Sequence, residues 1–207
     1  MLNKKNRWIL FASIFALIAI ISYFFDDSII KFIILIRNYY LDKLFLGVTF
    51  IYNEIIIAIL LTILLFWRKR DEWILPLWIT MLATALISLI LKITVHRQRP
   101  FATGVIPLLS GIADNIKYHV WDFSFPSFDS AFIFCTVPIM SKFFPKFKYV
   151  WISLAVLVAF SRVYVGVHYL SDVISGALIG YIIGVLIIEF ENRKKLFGNF
   201  YNKIRKR

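Results

Sequence analysis

The sequence predicts an all-α, polytopic membrane protein. It has six transmembrane helices, an outward-facing polar site, and an amphipathic surface helix between spans one and two. Three observations carry this reading. The 207 residues are 60% hydrophobic and only 17% charged, whereas a soluble domain is about 25% charged. Six apolar segments approach the roughly 20 residues that a bilayer crossing needs. Lysine and arginine are spread unevenly about those segments, as membrane topology requires.

The first segment is 8–25. It is long for the apolar part of a cleaved leader, and "SYFFDD" has no small-residue cleavage site, so it reads as a signal anchor. Next, "DDSIIKFIILIRNYYLDK" sets apolar residues at helical spacing with charges between them, the pattern of a helix lying on the membrane surface. Residues 44–67 and 73–91 are spans two and three. Residues 92–126 form the longest stretch without a periodic pattern, and long loops carry function disproportionately. Span four is 127–144. Span five is 149–160 continuing to 167, and span six is 168–188. The single cysteine, Cys135, lies in an apolar run; it excludes an internal disulfide and reads as a small core hydrophobe. There is no internal repeat, and 1–207 reads as a single membrane domain.

Orientation follows from the basic residues. In an alternating six-span arrangement, one side holds the N-terminus, "WRKRDE", "SKFFPKFK" and the tail, with sixteen Lys and Arg; the other side holds eight. The positive-inside rule puts both termini in the cytoplasm. The net charge of +12 therefore reflects topology and contact with anionic lipid headgroups, and nucleic acid is not an expected partner. Residues 92–126 and the corner at 161–168 fall outside, and so do all three histidines, His96, His119 and His168.

Three polar islands share that outer face: "KITVHRQRP", "FPSFDSAF" and "SRVYVGVHYLSD". Together they place Lys92, Arg97, Arg99 and Arg162 at the mouth of a helical bundle. Cations there need a partner, and the islands hold too few carboxylates for all four. A bound anion meets the need, since arginine forks match phosphate oxygens. Ser127 and the first N–H groups of span four add donors. Arg97 is equally readable as a span-end residue reaching for the headgroups. His168 and Asp172, four apart, share one face of span six, and a carboxylate beside a histidine fixes its tautomer and raises its basicity.

These residues match a known pattern. The chain resembles the type 2 phosphatidic acid phosphatases, the membrane branch of the phosphatidic acid phosphatase and haloperoxidase superfamily. Their signature runs K-x6-RP, then PSGH, then SR-x5-H-x3-D. Lys92 to Arg99-Pro100 and Ser161-Arg162 to His168 and Asp172 fit the first and third parts in full. The resemblance implies six spans, an outward site and no metal or other cofactor. It implies that His168 attacks phosphorus to form a phosphohistidine and that Asp172 orients it. Lys92, Arg99, Ser127 and Arg162 then hold the phosphoryl oxygens.

The second part departs. Pro126-Ser127-Phe128-Asp129 stands where the family has PSGH. The family's histidine there protonates the leaving oxygen, and Phe128 replaces a glycine. Asp129 admits two roles: a protonated acid, or an ionised carboxylate that pairs with a cation and competes with phosphate. His119 is a second candidate proton donor. The expected function is a multi-pass cell-membrane phosphatase for a lipid phosphate or diphosphate. The family's usual substrates in small bacterial-style chains are undecaprenyl diphosphate and phosphatidylglycerol phosphate. A diphosphate's phosphate leaving group needs less protonation than an alkoxide, which favours the diphosphate. The alternatives are a lipid-phosphate binder that has lost turnover and a phosphoryl transferase.

Overall fold

The computed structural model describes residues 4–107, 109 and 123–198. Among them the chain forms seven α-helices: α1 (Lys4–Ile36), α2 (Tyr39–Ile51), α3 (Glu54–Trp67), α4 (Ile74–Val95), α5 (Phe128–Phe143), α6 (Lys148–Tyr164) and α7 (Leu170–Lys194). Short 3₁₀ turns at Asp71–Trp73 and Pro145–Phe147 lead into α4 and α6. Four helices are long and apolar enough to cross a membrane, and a fifth crossing results if the bent α2–α3 pair counts as one. The protein is a multi-pass membrane protein. At 16 residues, α5 is short for a crossing.

One expectation fails at the N-terminal end. There is no separate surface helix between spans one and two. α1 runs unbroken through 33 residues, about 50 Å at 1.5 Å per residue, against a hydrocarbon core of roughly 30 Å. Part of the charge that looked like a solvent face turns inward, while Asp27, Lys31 and Lys43 stay exposed. Asp26 is buried. Arg37 donates to the carbonyls of Tyr164 and Pro107 at 2.7 and 3.2 Å, and Asp42 accepts from the Tyr164 hydroxyl at 2.6 Å. The segment expected as span two is bent. α2 and α3 meet at 66°, each started by an asparagine whose side chain accepts two backbone N–H groups: Asn38 for α2 and Asn53 for α3.

α5 is the centre of the bundle, buried at almost every position from Ser130 to Met140. Cys135 is part of this core. Its closest partner is α7, and the seam is made by glycine. Gly176, Gly180 and Gly184 recur every fourth residue. A Cβ at Gly180 would sit 2.0 Å from the Ala131 carbonyl oxygen, so backbone meets backbone there, as small residues permit between membrane helices.

Candidate active site

The polar islands come together at one end of the bundle because each sits at a helix terminus. Lys92 is in the last turn of α4. The segment beyond carries Arg97 and Arg99. Ser124 and Ser127 lead into α5, and Asp129 is in its first turn. Arg162 closes α6. The chain then turns through Gly166 at φ +89°, a left-handed conformation that suits glycine. His168 follows in the turn and Asp172 in the first turn of α7. His168 therefore precedes α7 (Leu170–Lys194), and the expectation that it shares a face of the last span with Asp172 is corrected.

His168 is almost completely buried. Its Nε2 lies 3.1 Å from Arg99 Nη1, which also donates to the Val167 carbonyl at 2.9 Å. A guanidinium only donates, so Nε2 must be the accepting, unprotonated nitrogen. The proton then belongs to Nδ1. From there a chain runs outward: Nδ1 lies 3.3 Å from the Ser124 Oγ, which donates to Asp172 Oδ2 at 2.5 Å. The direct Nδ1–Oδ2 separation is 3.8 Å, too long for a hydrogen bond. Asp172 thus reaches the imidazole through Ser124. Its Oδ2 also accepts the Tyr169 N–H at 2.9 Å, capping α7.

Arg162 is buried, and its Nε and Nη2 have no hydrogen-bond partner among the described residues. Its Nε lies 3.5 Å from Asp129 Oδ2, an ion pair without hydrogen-bond alignment. Unmet buried donors cost about 1–3 kcal/mol each, so these two are placed to receive acceptor atoms. Lys92 Nζ donates to the Phe123 carbonyl. The Ser127 Oγ caps α5, accepting from Ser130 N–H and Oγ at 3.4 and 3.1 Å. That leaves its own O–H as the donor. The Phe128 ring stacks on Phe132 at 5.7 Å and packs into the core formed by α3, α4 and α5, so it occupies the core.

Arg97 is not held for phosphate. It donates to Asp172 Oδ1 at 2.6 Å and to Asp26 Oδ2 at 2.7 Å, between the rings of Tyr23 and Tyr169. Asp26 also accepts from both the N–H and the hydroxyl of Ser171. An α1 carboxylate therefore supplies part of the negative charge that the polar islands lack. His119 lies outside the described residues. An apolar cavity of about 720 Å³ lies at the opposite end of the bundle, lined by Leu64, Trp67, Met140 and Trp151 among others; it contains none of these polar groups.

The profile of the PAP2 superfamily matches residues 73–196. The chain belongs to the PAP2 superfamily. Phosphatidylglycerophosphatase B of Bacillus subtilis (strain 168) is 31% identical over 187 residues, covering 83% of this chain and 86% of that protein. The bacitracin transport permease protein BcrC of Bacillus licheniformis is 37% identical over 82 residues, 40% and 37% of the two chains. Among solved structures, a transmembrane PAP2-type phosphatidylglycerolphosphate phosphatase from Bacillus subtilis superposes with a TM-score of 0.68 at 26% identity, covering 95% of this chain and all of that one. LpxE of Aquifex aeolicus superposes with a TM-score of 0.61 at 26% identity, covering 78% and 93%.

In this PAP2 chain, burial and the Arg99 charge lower the pKa of His168 from 6.5 to about 4, against the opposing pull of Asp172. The imidazole is therefore neutral across the physiological range, with its Nε2 lone pair available. The three histidines should be separable by NMR in micelles, with His168 titrating near pH 4. Arg99→Met, by removing a neighbouring positive charge, should move that midpoint upward, towards 6.5. A wild-type midpoint at 6.5 would contradict the burial and charge argument.

Proposed function

We propose that this PAP2 protein is a lipid phosphate or diphosphate phosphatase that works through a phosphohistidine at His168. The observation that carries the reading is a neutral, buried imidazole whose Nε2 lone pair is fixed beside Arg99, with the unmet N–H groups of Arg162 on a neighbouring helix end. In the first step Nε2 bonds to phosphorus while the bond to the leaving oxygen breaks, its electron pair staying on that oxygen. Arg99 passes its N–H from Nε2 to a phosphoryl oxygen. The Nδ1 proton is held by Ser124, backed by Asp172, which stabilises the imidazolium character that develops. Lys92, Arg162 and the Ser127 hydroxyl complete the cradle. In the second step water attacks phosphorus, the N–P bond breaks with its electrons returning to Nε2, and phosphate leaves.

The same proposal includes one membrane domain over 1–207 with six crossings, counting α2–α3 as one and α5 as another. It sets both termini in the cytoplasm and the site at the outer face of the cell membrane; the basic-residue asymmetry supports this. Phosphatidylglycerol phosphate and polyprenyl diphosphates such as undecaprenyl diphosphate are the proposed substrates, the former supported by the named B. subtilis relative. Phosphate release from these two and from phosphatidic acid, in detergent, tests the reading, with alkali-stable, acid-labile phosphate on the protein as the second readout. No release from any of them would refute it. The Asp129–Arg162 approach supports a second reading, a binder in which Asp129 competes with phosphate; lipid phosphate bound but not hydrolysed would favour it.

A further inference from the structure

Asp26 is buried on α1, within a segment long and apolar enough to cross the membrane. A carboxylate there is costly unless its oxygens are met. Both are. Oδ1 accepts the Ser171 N–H at 3.0 Å, one of the donors that the start of α7 leaves free. Oδ2 accepts the Ser171 hydroxyl and, at 2.7 Å, Arg97 Nη2. Arg97 Nη1 reaches the other way, to Asp172 Oδ1 at 2.6 Å and Ser171 Oγ at 2.7 Å. The rings of Tyr23 and Tyr169 lie 4.9 and 4.1 Å from the guanidinium carbon and cover it. One guanidinium thus stands between two carboxylates, in a place where water screens charge weakly. The count of charge matters for the reaction. Attack through Nε2 leaves the His168 ring cationic, with Arg99 and Lys92 already facing it. Asp172 backs the ring through Ser124. Paired with Arg97 alone, Asp172 would present no net charge. With Asp26 on the second arm of Arg97, one negative charge is left over to act on the ring.

We infer that Asp26 is a positioning residue of the phosphoryl-transfer site: by neutralising Arg97 from α1, it leaves the charge of Asp172 free to stabilise the cationic, phosphorylated ring of His168. This rests on the phosphatase reading above. Asp26 touches neither the imidazole nor the cradle, and it acts only through Arg97 and Asp172. α1 thereby belongs to the reacting unit, although it lies wholly before residues 73–196, the part matched by the PAP2 profile.

The test compares wild type, Asp26→Asn and the double variant Asp26→Asn/Arg97→Gln. Asp26→Asn leaves Arg97 uncompensated. It should lower kcat about tenfold on phosphatidic acid and on a polyprenyl diphosphate alike, with KM unchanged, because the ring is affected and the leaving group is not. The NMR midpoint of His168 should fall about one pH unit below its wild-type value of about 4, since the same charge acts on the protonated and the phosphorylated ring and a tenfold change corresponds to one pH unit. The other charged groups around the ring are Lys92 on α4, Arg99 beyond it, Asp129 on α5 and Arg162 on α6, and all are the same in the three proteins. The double variant removes the uncompensated cation, while Asp172 keeps Ser124 and the Tyr169 N–H. Its kcat and its His168 midpoint should both return towards wild type. A residue that merely fastens α1 to α7 gives a different pattern, with losses that deepen in the double variant and a midpoint that stays in place. An unmoved midpoint in Asp26→Asn, or a double variant no better than the single one, overturns the inference. If wild type hydrolyses nothing, the phosphatase reading fails by itself. The midpoints then still decide the charge balance: a value lowered in the single variant and restored in the double one sustains it, and a constant value overturns it.

Discussion

His168→Ala should abolish phosphate release from every lipid phosphate and diphosphate, by at least roughly 10⁴-fold, the scale on which removing a nucleophile collapses a catalytic unit. The reason is geometric. Nε2 is the nitrogen that Arg99 holds in accepting form at 3.1 Å, and Nδ1 is tied back to Ser124. No other described histidine is in this cluster: His96 is exposed and packs edge-on against Phe123 at 4.5 Å. The same variant should take up no alkali-stable phosphate, whereas wild type quenched during turnover should. Retained turnover in the alanine variant would mean that another group attacks phosphorus.

Arg162→Lys should lower kcat/KM by about 10²–10³-fold, the loss typical of one donor to developing charge. The substitution keeps a positive charge opposite Asp129. It loses the planar fork whose Nε and Nη2 are the unmet buried donors. The thermal midpoint should hold, because the resting protein makes no hydrogen bond through those atoms. A kcat/KM within a few-fold of wild type would show that the fork is not used. A fall in both activity and thermal midpoint would point instead to a structural ion pair with Asp129.

Part of this site was legible in the sequence, and the boundary has a physical cause. Lys92, Arg99, Arg162, His168 and Asp172 stand out because each local spacing carries its own chemistry and each sits between apolar runs. Asp26 and Ser124 do not stand out. Asp26 comes from the N-terminal third, 71 residues from Arg97, and no local period links it to its partner. A charge among helical apolar residues also looks like a wet face, and here the Asp26 side of α1 packs on α7. Ser124 lay in view, two residues before Pro126, as a hydroxyl beside the motif. The bend at Tyr52–Asn53 was signalled by Asn53, an asparagine suited to starting a helix inside an otherwise apolar segment.

The glycine seam has a mechanical consequence. Ser127 and Asp129 ride on one end of α5, and Asp172 rides on the adjoining end of α7, where the Ser127 N–H donates to the Asp172 carbonyl at 3.1 Å. With Gly180 set against the Ala131 carbonyl, the two helices touch through backbone, which has no rotamers to yield. They behave as one stiff beam. The spacing between Ser127 and Asp129 on one helix and the support of His168 on the other is then built in at folding, and little of it has to be reorganised when a headgroup arrives.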